Sequence, residues 1–288
     1  MEINGHTRLC GLIGNPVEHT LSPAIHNTLA EKLGHNLVYV PFHVEKGYTD
    51  DAVKGAFGLN ILGLNVTVPY KSNVIGSLVA VDGLAEKIGA VNTLVRCEKG
   101  YKGYNTDILG LYRAMCKEGI QIEGEQIVLL GAGGAARAVA FLCAEKGAEK
   151  VYLLNRSIEK AQAVAEEVNS ICGRECISPM ITSDYEKLPD RKFLAIQGTS
   201  VGLYPDSDKA VIEDAGFYQK IHTGYDLIYK PAETKFMKLV KENGGCAYNG
   251  LKMLLYQAVI AYEYWNDVQV PESIAEDIYE VLKNKVAI

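Results

Sequence analysis

The apolar residues 127–130 run directly into Gly131-Ala132-Gly133-Gly134-Ala135-Ala136, and a helical pattern begins there. A short buried strand, a glycine turn and a helix in that order form the first half of a βαβ unit, which constrains the fold more than any other stretch of the chain. Gly131, Gly133 and Ala136 keep the spacing G-x-G-x-x-A. The first glycine permits the tight turn, the second lets backbone N–H groups approach a pyrophosphate, and the small third residue lets the helix pack closely on the sheet. A phosphate here would meet the unpaired amides and the positive end of the helix. The same turn can be purely architectural, so the next strand matters.

Residues 151–154 are apolar and end in Asn155, Arg156 and Ser157. They lie about twenty residues past the glycines, where an NAD-selective site offers an acid to the ribose hydroxyls. No acid stands at that strand end. Arg156, with Lys160 one helical turn on, can instead grip a 2′-phosphate through charge-assisted hydrogen bonds, which points to NADP rather than NAD. A solvated arginine at a strand end is the plain alternative.

At 288 residues the chain has room for a sizeable core and two domains. A net charge of −6 without clustered Lys and Arg argues against a nucleic-acid partner, because binding a phosphate backbone requires a basic patch. No apolar run is long enough to span a bilayer and no charged start leads into an apolar stretch, so neither a membrane partner nor a signal peptide is expected. The cytoplasm is the expected compartment. Seven scattered cysteines form no disulfide framework. Cys172 and Cys176 lack a second Cys or His pair nearby, so no metal is expected.

From the start, strand-like segments (9–13, 37–42, 61–68) alternate with helix-like ones (22–33, 50–57), which predicts parallel strands with crossover helices. Ser22 reads as an N-cap with Pro23 at the first helical position. Asp107 opens a helix over 108–117, and the first domain boundary falls on it. Beyond the glycine turn, strands at 151–154, 176–181, 193–197 and 222–227 and a helix at 158–170 fit an open doubly wound sheet. Residues 251–265 and 273–285 read as two helices of the kind that return to a first domain. The expected fold class is α/β: a mainly parallel N-terminal substrate-binding domain over 1–110, completed by C-terminal helices within 251–288, and a Rossmann NADP-binding domain over 111–250.

Four polar clusters stand at predicted strand ends, the edge where open α/β sheets bind ligands: NPVEHTLSPAIH from residue 15, NVTVPYK from residue 65, the NT of GAVNT at residues 92–93, and NTD at residues 105–107. Each has a structural alternative as a cap, turn former or surface charge. Hydride transfer to a ketone requires a donor at the oxygen as negative charge develops. Lys71 can be that donor.

In order and at similar intervals, GLIGNPVEHTLSPAIHN, GLNVTVPYK, GAVNT, GYNTDILG, GAGGAAR, NRS, GYDLIYKPAETKFM and NGLKMLLYQA resemble the motifs of the shikimate dehydrogenase family, over nearly the whole chain. The resemblance implies reversible NADPH-dependent reduction of 3-dehydroshikimate to shikimate in aromatic amino-acid biosynthesis, by a monomer or homodimer. It makes Lys71 and Asp107 the catalytic pair. Thr20 and Ser22 match residues that hold the substrate carboxylate, Thr67, Asn92, Asp107 and Gln257 match residues that bind ring hydroxyls, and Tyr229 matches a pocket-lining tyrosine. Gly131, Ala132, Gly133, Gly134 and Ala135 match the pyrophosphate loop, and Asn155, Arg156, Ser157 and Lys160 the adenosine phosphate site. Leu227, Gly250 and Met253 match the nicotinamide surroundings.

The chain departs from the usual pattern at Thr20, where serine is common, at Gln197-Gly198 before Thr199, where Asn-Ala is typical, and at Lys252, where glycine is frequent. Thr20 keeps a hydroxyl but crowds the end of the ring where quinate differs from shikimate. A methylene-sized change shifts selectivity by only ~1–3 kcal/mol. A quinate/shikimate dehydrogenase using NAD or NADP therefore stays open. A non-catalytic NADP-binding sensor also stays open, although the presence of both Lys71 and Asp107 argues against it.

Overall fold

The computed structural model describes residues 2–286. The last two residues of the 251–288 segment lie outside this range. Two compact units are present: residues up to Leu111 with Leu254–Val281, and Tyr112–Met253 with the segment from Leu282.

The first unit begins β1 (Arg8–Gly14), α1 (Ser22–Lys32), β2 (Leu37–His43), α2 (Thr49–Gly58) and β3 (Gly63–Val66). It continues with β4 (Ala80–Val81), α3 (Gly83–Ile88), β5 (Thr93–Cys97), β6 (Gly100–Tyr104) and the start of α4 (Thr106–Lys117). The sheet order is β2-β1-β3-β5-β6-β4. β1 pairs in parallel with both β2 and β3, so the chain leaves β1 in opposite directions, the arrangement at whose C-terminal strand ends open α/β sheets take ligands.

The alternation of strands and helices predicts a mainly parallel sheet, and one strand departs from the parallel direction. β5 is antiparallel to both β3 and β6. Only Glu98 and Lys99 separate β5 from β6, far too few residues for a crossover, so the two strands close as a hairpin. The reversal matters for the site. Asn92 and Thr93 stand at the beginning of a strand, yet Thr93 pairs with Asn65 at the end of β3 and with Tyr104 at the end of β6. All three therefore lie at one sheet edge.

The expected Ser22 cap is not formed. Leu21 holds the cap position of α1 with no side-chain hydrogen bond, and Ser22 is the first helical residue. Its hydroxyl instead accepts from Thr20 Oγ1 at 3.1 Å, while its N–H donates back to the same oxygen at 3.2 Å. In α4 the capping role falls to Asn105, whose Oδ1 accepts from the Ile108 N–H at 3.3 Å. Asp107 is thus free of that duty. Trp265, within α9 (Leu251–Asn266), docks on this sheet where Gly63 leaves room for the indole, and Nε1 donates to the Leu94 carbonyl at 2.9 Å.

In the second unit β7 (Gln126–Leu130), α5 (Gly134–Glu145), β8 (Lys150–Asn155), α6 (Ile158–Cys172), β9 (Ile177–Ile181) and β10 (Phe193–Gln197) come first. α7 (Ala215–Tyr218), β11 (Ile221–Asp226), α8 (Lys235–Glu242) and β12 (Cys246–Tyr248) follow, while the last helix, α10 (Glu272–Val286), belongs to the first unit as far as Val281. The order β12-β11-β10-β7-β8-β9 is all parallel, the doubly wound arrangement of dinucleotide-binding sheets with its switch point between β7 and β10. Residues 127–130 and the whole of β10 are buried, as strands covered on both faces must be. Among the described residues no helix is long and apolar enough to cross a membrane.

Candidate active site and dinucleotide cradle

In the first unit Lys71 Nζ donates to Asp107 Oδ2 at 2.7 Å, with both side chains partly exposed. Two adjacent residues anchor the backbone at Lys71 and at Thr106, immediately before Asp107. The Val91 N–H donates to the Lys71 carbonyl at 2.8 Å, and Asn92 Oδ1 accepts from the Thr106 N–H at 2.7 Å. An ammonium held against a carboxylate at the open edge of a sheet can deliver a proton to a bound oxygen and be restored through its partner. Thr67 packs on Gly14, where a Cβ would overlap its methyl group, so the β1 and β3 loops meet closely.

Not every predicted substrate residue joins this cluster by a direct bond. Thr20 and Ser22 bond each other. Gln257 Nε2 is turned back to the Leu254 carbonyl at 2.8 Å, although its backbone packs against Gly110, three residues beyond Asp107 on α4. Tyr229 belongs to the second unit, where burial raises its phenol above the ordinary value.

At the switch point of the second unit a cavity of about 510 Å³ is lined by Gly131–Ala135, Asn155 and Leu227 among others. Gly131 sits at φ 108°, and a Cβ there would lie 2.7 Å from Thr199 Cγ2. Only glycine satisfies both conditions at little cost. Gly133 and Gly134, by contrast, have no heavy atom within 4 Å of a Cβ position, so the helix N-terminus faces open space. Gly133 caps α5 without a side-chain bond. Such a cradle suits a pyrophosphate. Ala136 is fully buried, and a Cβ on Gly198 would stand 3.1 Å from its own, which shows how tightly helix and sheet pack.

Of the residues predicted for the adenosine phosphate, Asn155 lines the cavity and holds the Ser157 carbonyl at 2.8 Å. Ser157 is engaged elsewhere. Its hydroxyl caps α6 by accepting from the Lys160 N–H and donates to Glu159 at 2.7 Å. Arg156 and the Lys160 side chain are exposed and form no ion pair among the described residues. Gly250 packs against the Leu227 carbonyl so closely that a Cβ would overlap it, and Met253 is half-buried two residues into α9.

Three family models match the chain: a shikimate dehydrogenase substrate binding domain over residues 12–94, a shikimate/quinate 5-dehydrogenase model over 114–177, and a shikimate 5′-dehydrogenase C-terminal domain over 250–283. An NADP-dependent shikimate dehydrogenase of Caldanaerobacter subterraneus subsp. tengcongensis is 42% identical over 265 residues, 92% of this chain and 94% of that one. The chain belongs to the shikimate dehydrogenase family. Among solved structures of the family, a Listeria monocytogenes shikimate 5-dehydrogenase in complex with shikimate and NAD is similar at TM-score 0.90 and 32% identity, with 98% of each chain covered. A shikimate dehydrogenase in complex with NADP+ is similar at TM-score 0.87 and 35% identity, covering 99% of this chain and 98% of that one.

Two departures from the usual family pattern acquire a physical reason. Gln197, buried at the end of β10, accepts from both the N–H and the hydroxyl of Thr199, at 2.6 and 2.7 Å, and donates to the Val201 carbonyl at 2.9 Å. It thereby shapes the loop beside the cavity. Lys252 pairs with Glu118, and both side chains are largely buried. Sequence reasoning missed Asp226 altogether. This fully buried carboxylate at the end of β11 accepts from Thr234 at 2.6 Å and from the Ile228 N–H at 3.0 Å. Burial raises it to about 6 against these hydrogen bonds. An acid closing the otherwise uncharged strand IHTGYD was the available signal.

Proposed function

We propose that this chain is an NADP-dependent shikimate dehydrogenase that reversibly reduces 3-dehydroshikimate to shikimate for aromatic amino-acid biosynthesis. The observation that carries the reading is the 2.7 Å contact of Lys71 with Asp107, in a chain of this family. The first unit is the substrate domain and the second the dinucleotide domain. Seven free cysteines are in keeping with a cytoplasmic enzyme.

The open cradle at Gly133 and Gly134 fits a pyrophosphate, and exposed Arg156 and Lys160 fit a 2′-phosphate. When bound, the reduced nicotinamide supplies hydride. Lys71 donates the proton to the substrate oxygen as it becomes an alcohol, and Asp107 keeps the ammonium oriented. Thr20 and Ser22 offer hydroxyls to the substrate carboxylate. Thr67, Asn92 and Gln257 hold the ring hydroxyls, Tyr229 lines the pocket, and Leu227, Gly250 and Met253 shape the nicotinamide end. The test is a steady-state panel of shikimate and quinate with NADP and NAD. Shikimate with NADP is expected to give the highest kcat/KM, and faster quinate oxidation with NAD would overturn the assignment.

A further inference from the structure

Asn92 is almost fully buried, and its carboxamide has one orientation that satisfies its neighbours. The Thr106 N–H points at it from 2.7 Å, and a backbone amide can only donate, so the atom it meets is the oxygen. The Thr93 and Thr106 hydroxyls reach the same oxygen, at 3.0 and 3.1 Å. Thr93 in turn accepts from Asn65 Nδ2 at 3.1 Å, and Asn65 Oδ1 accepts from the Tyr39 hydroxyl at 2.8 Å. The Thr93 and Thr106 hydroxyls also meet at 2.9 Å, so the Thr93 proton supports the Asn92 oxygen directly or by way of Thr106, and on either route the donors run from Tyr39 through Asn65 and Thr93 towards Asn92. Nothing among the described residues accepts from Asn92 Nδ2.

We infer that Thr93 is a positioning residue: its buried hydroxyl locks the Asn92 carboxamide with the oxygen inward, so that Asn92 presents NH2 donors, and no acceptor, to an oxygen of the substrate. The inference rests on the functional reading above. Thr93 is fully buried and meets the substrate only through Asn92. A donor that bonds the substrate equally in the ground and transition states governs KM rather than kcat.

The test compares Thr93→Val, which keeps the shape and removes the hydroxyl, with Thr93→Ser, which restores it. Each variant's KM for 3-dehydroshikimate and for NADPH, kcat and melting temperature are measured. Thr93→Val should raise KM for 3-dehydroshikimate about fivefold to tenfold, the scale of one buried hydrogen bond, with kcat and KM for NADPH within about twofold of wild type. Thr93→Ser should restore KM. If Thr93→Val does not fold, Thr93→Cys, a weaker donor of similar size, should show the same selective rise. An unchanged substrate KM, or a loss shared equally by kcat and both KM values, overturns the inference. A wild-type protein inactive on 3-dehydroshikimate overturns the functional reading instead, so the two failures are distinguishable.

Discussion

Lys71 and Asp107, 36 positions apart in the chain, meet at 2.7 Å beside the adjacent residues Val91 and Asn92, which bond the Lys71 carbonyl and the N–H of Thr106, the residue before Asp107. The pair is therefore set by the start of β5 as much as by the segments that carry it. Lys71→Ala should lower kcat at least about a hundredfold, the usual scale for loss of a general acid, with NADPH binding little changed. Near-normal turnover in steady-state assays would remove Lys71 from the mechanism.

Arg156 is exposed and has no ionic partner to lose among the described residues, so its replacement reports on the ligand rather than the fold. Arg156→Asp should weaken NADP binding roughly tenfold to a hundredfold, the range for one charge-assisted hydrogen bond, while NAD binding changes less. Titration calorimetry with both nucleotides measures this. Equal affinity for NADP before and after would mean that another group holds the 2′-phosphate.

Two glycines should respond in opposite ways to the same methyl group. At Gly250 a Cβ would overlap the Leu227 carbonyl, and the Gly250 N–H is already bonded to Ile228 O at 3.0 Å, so the backbone has little freedom to retreat. Gly250→Ala should cost about 1–3 kcal/mol of stability and lower Tm. At Gly133 the space is open and the backbone suits alanine, so Gly133→Ala should melt near wild type yet bind NADPH more weakly. Denaturation curves and NADPH titrations on both variants give the comparison.

Asp226 makes stability depend on pH in a direction unusual for a carboxylate. Burial raises its folded value from 3.8 to about 6, so folding favours the protonated form. The stabilisation is present below pH ~4 and is lost as pH rises through about 6, a difference of about 3 kcal/mol for two units. Asp226→Asn removes that loss. Relative to wild type, its Tm should therefore rise between pH 4.5 and pH 8, and a gap that stays constant with pH would contradict the assignment.

Much of the second unit was legible because its signals are local. Each parallel strand buried on both faces leaves a continuous apolar run, and the glycine turn declares the helix that follows. The short strand β12 and helices α7 and α8 escaped, being only three to eight residues long. In the first unit the β5–β6 hairpin was hidden, since neither its alternation nor its turn announces that the sheet reverses direction. The residue types of the cluster around Lys71 and Asp107 were readable from the motifs. Their roles as caps or ligands were not: Asn105, rather than Asp107, caps α4, and Ser22 bonds Thr20 instead of capping α1.

Spacing along the chain is enough to specify which residues can bend, pack or carry charge, since backbone freedom and side-chain chemistry belong to each residue wherever it stands. The strand periodicity, the glycine fingerprint, the basic residues after β8 and the presence of Lys71 and Asp107 were determined at that level. The direction of β5, the inward turn of the Asn92 oxygen and the burial that raises Asp226 came only from the tertiary structure. Each depends on which distant segments compete for the same donors, acceptors and space, and that competition exists only once the sheets have assembled.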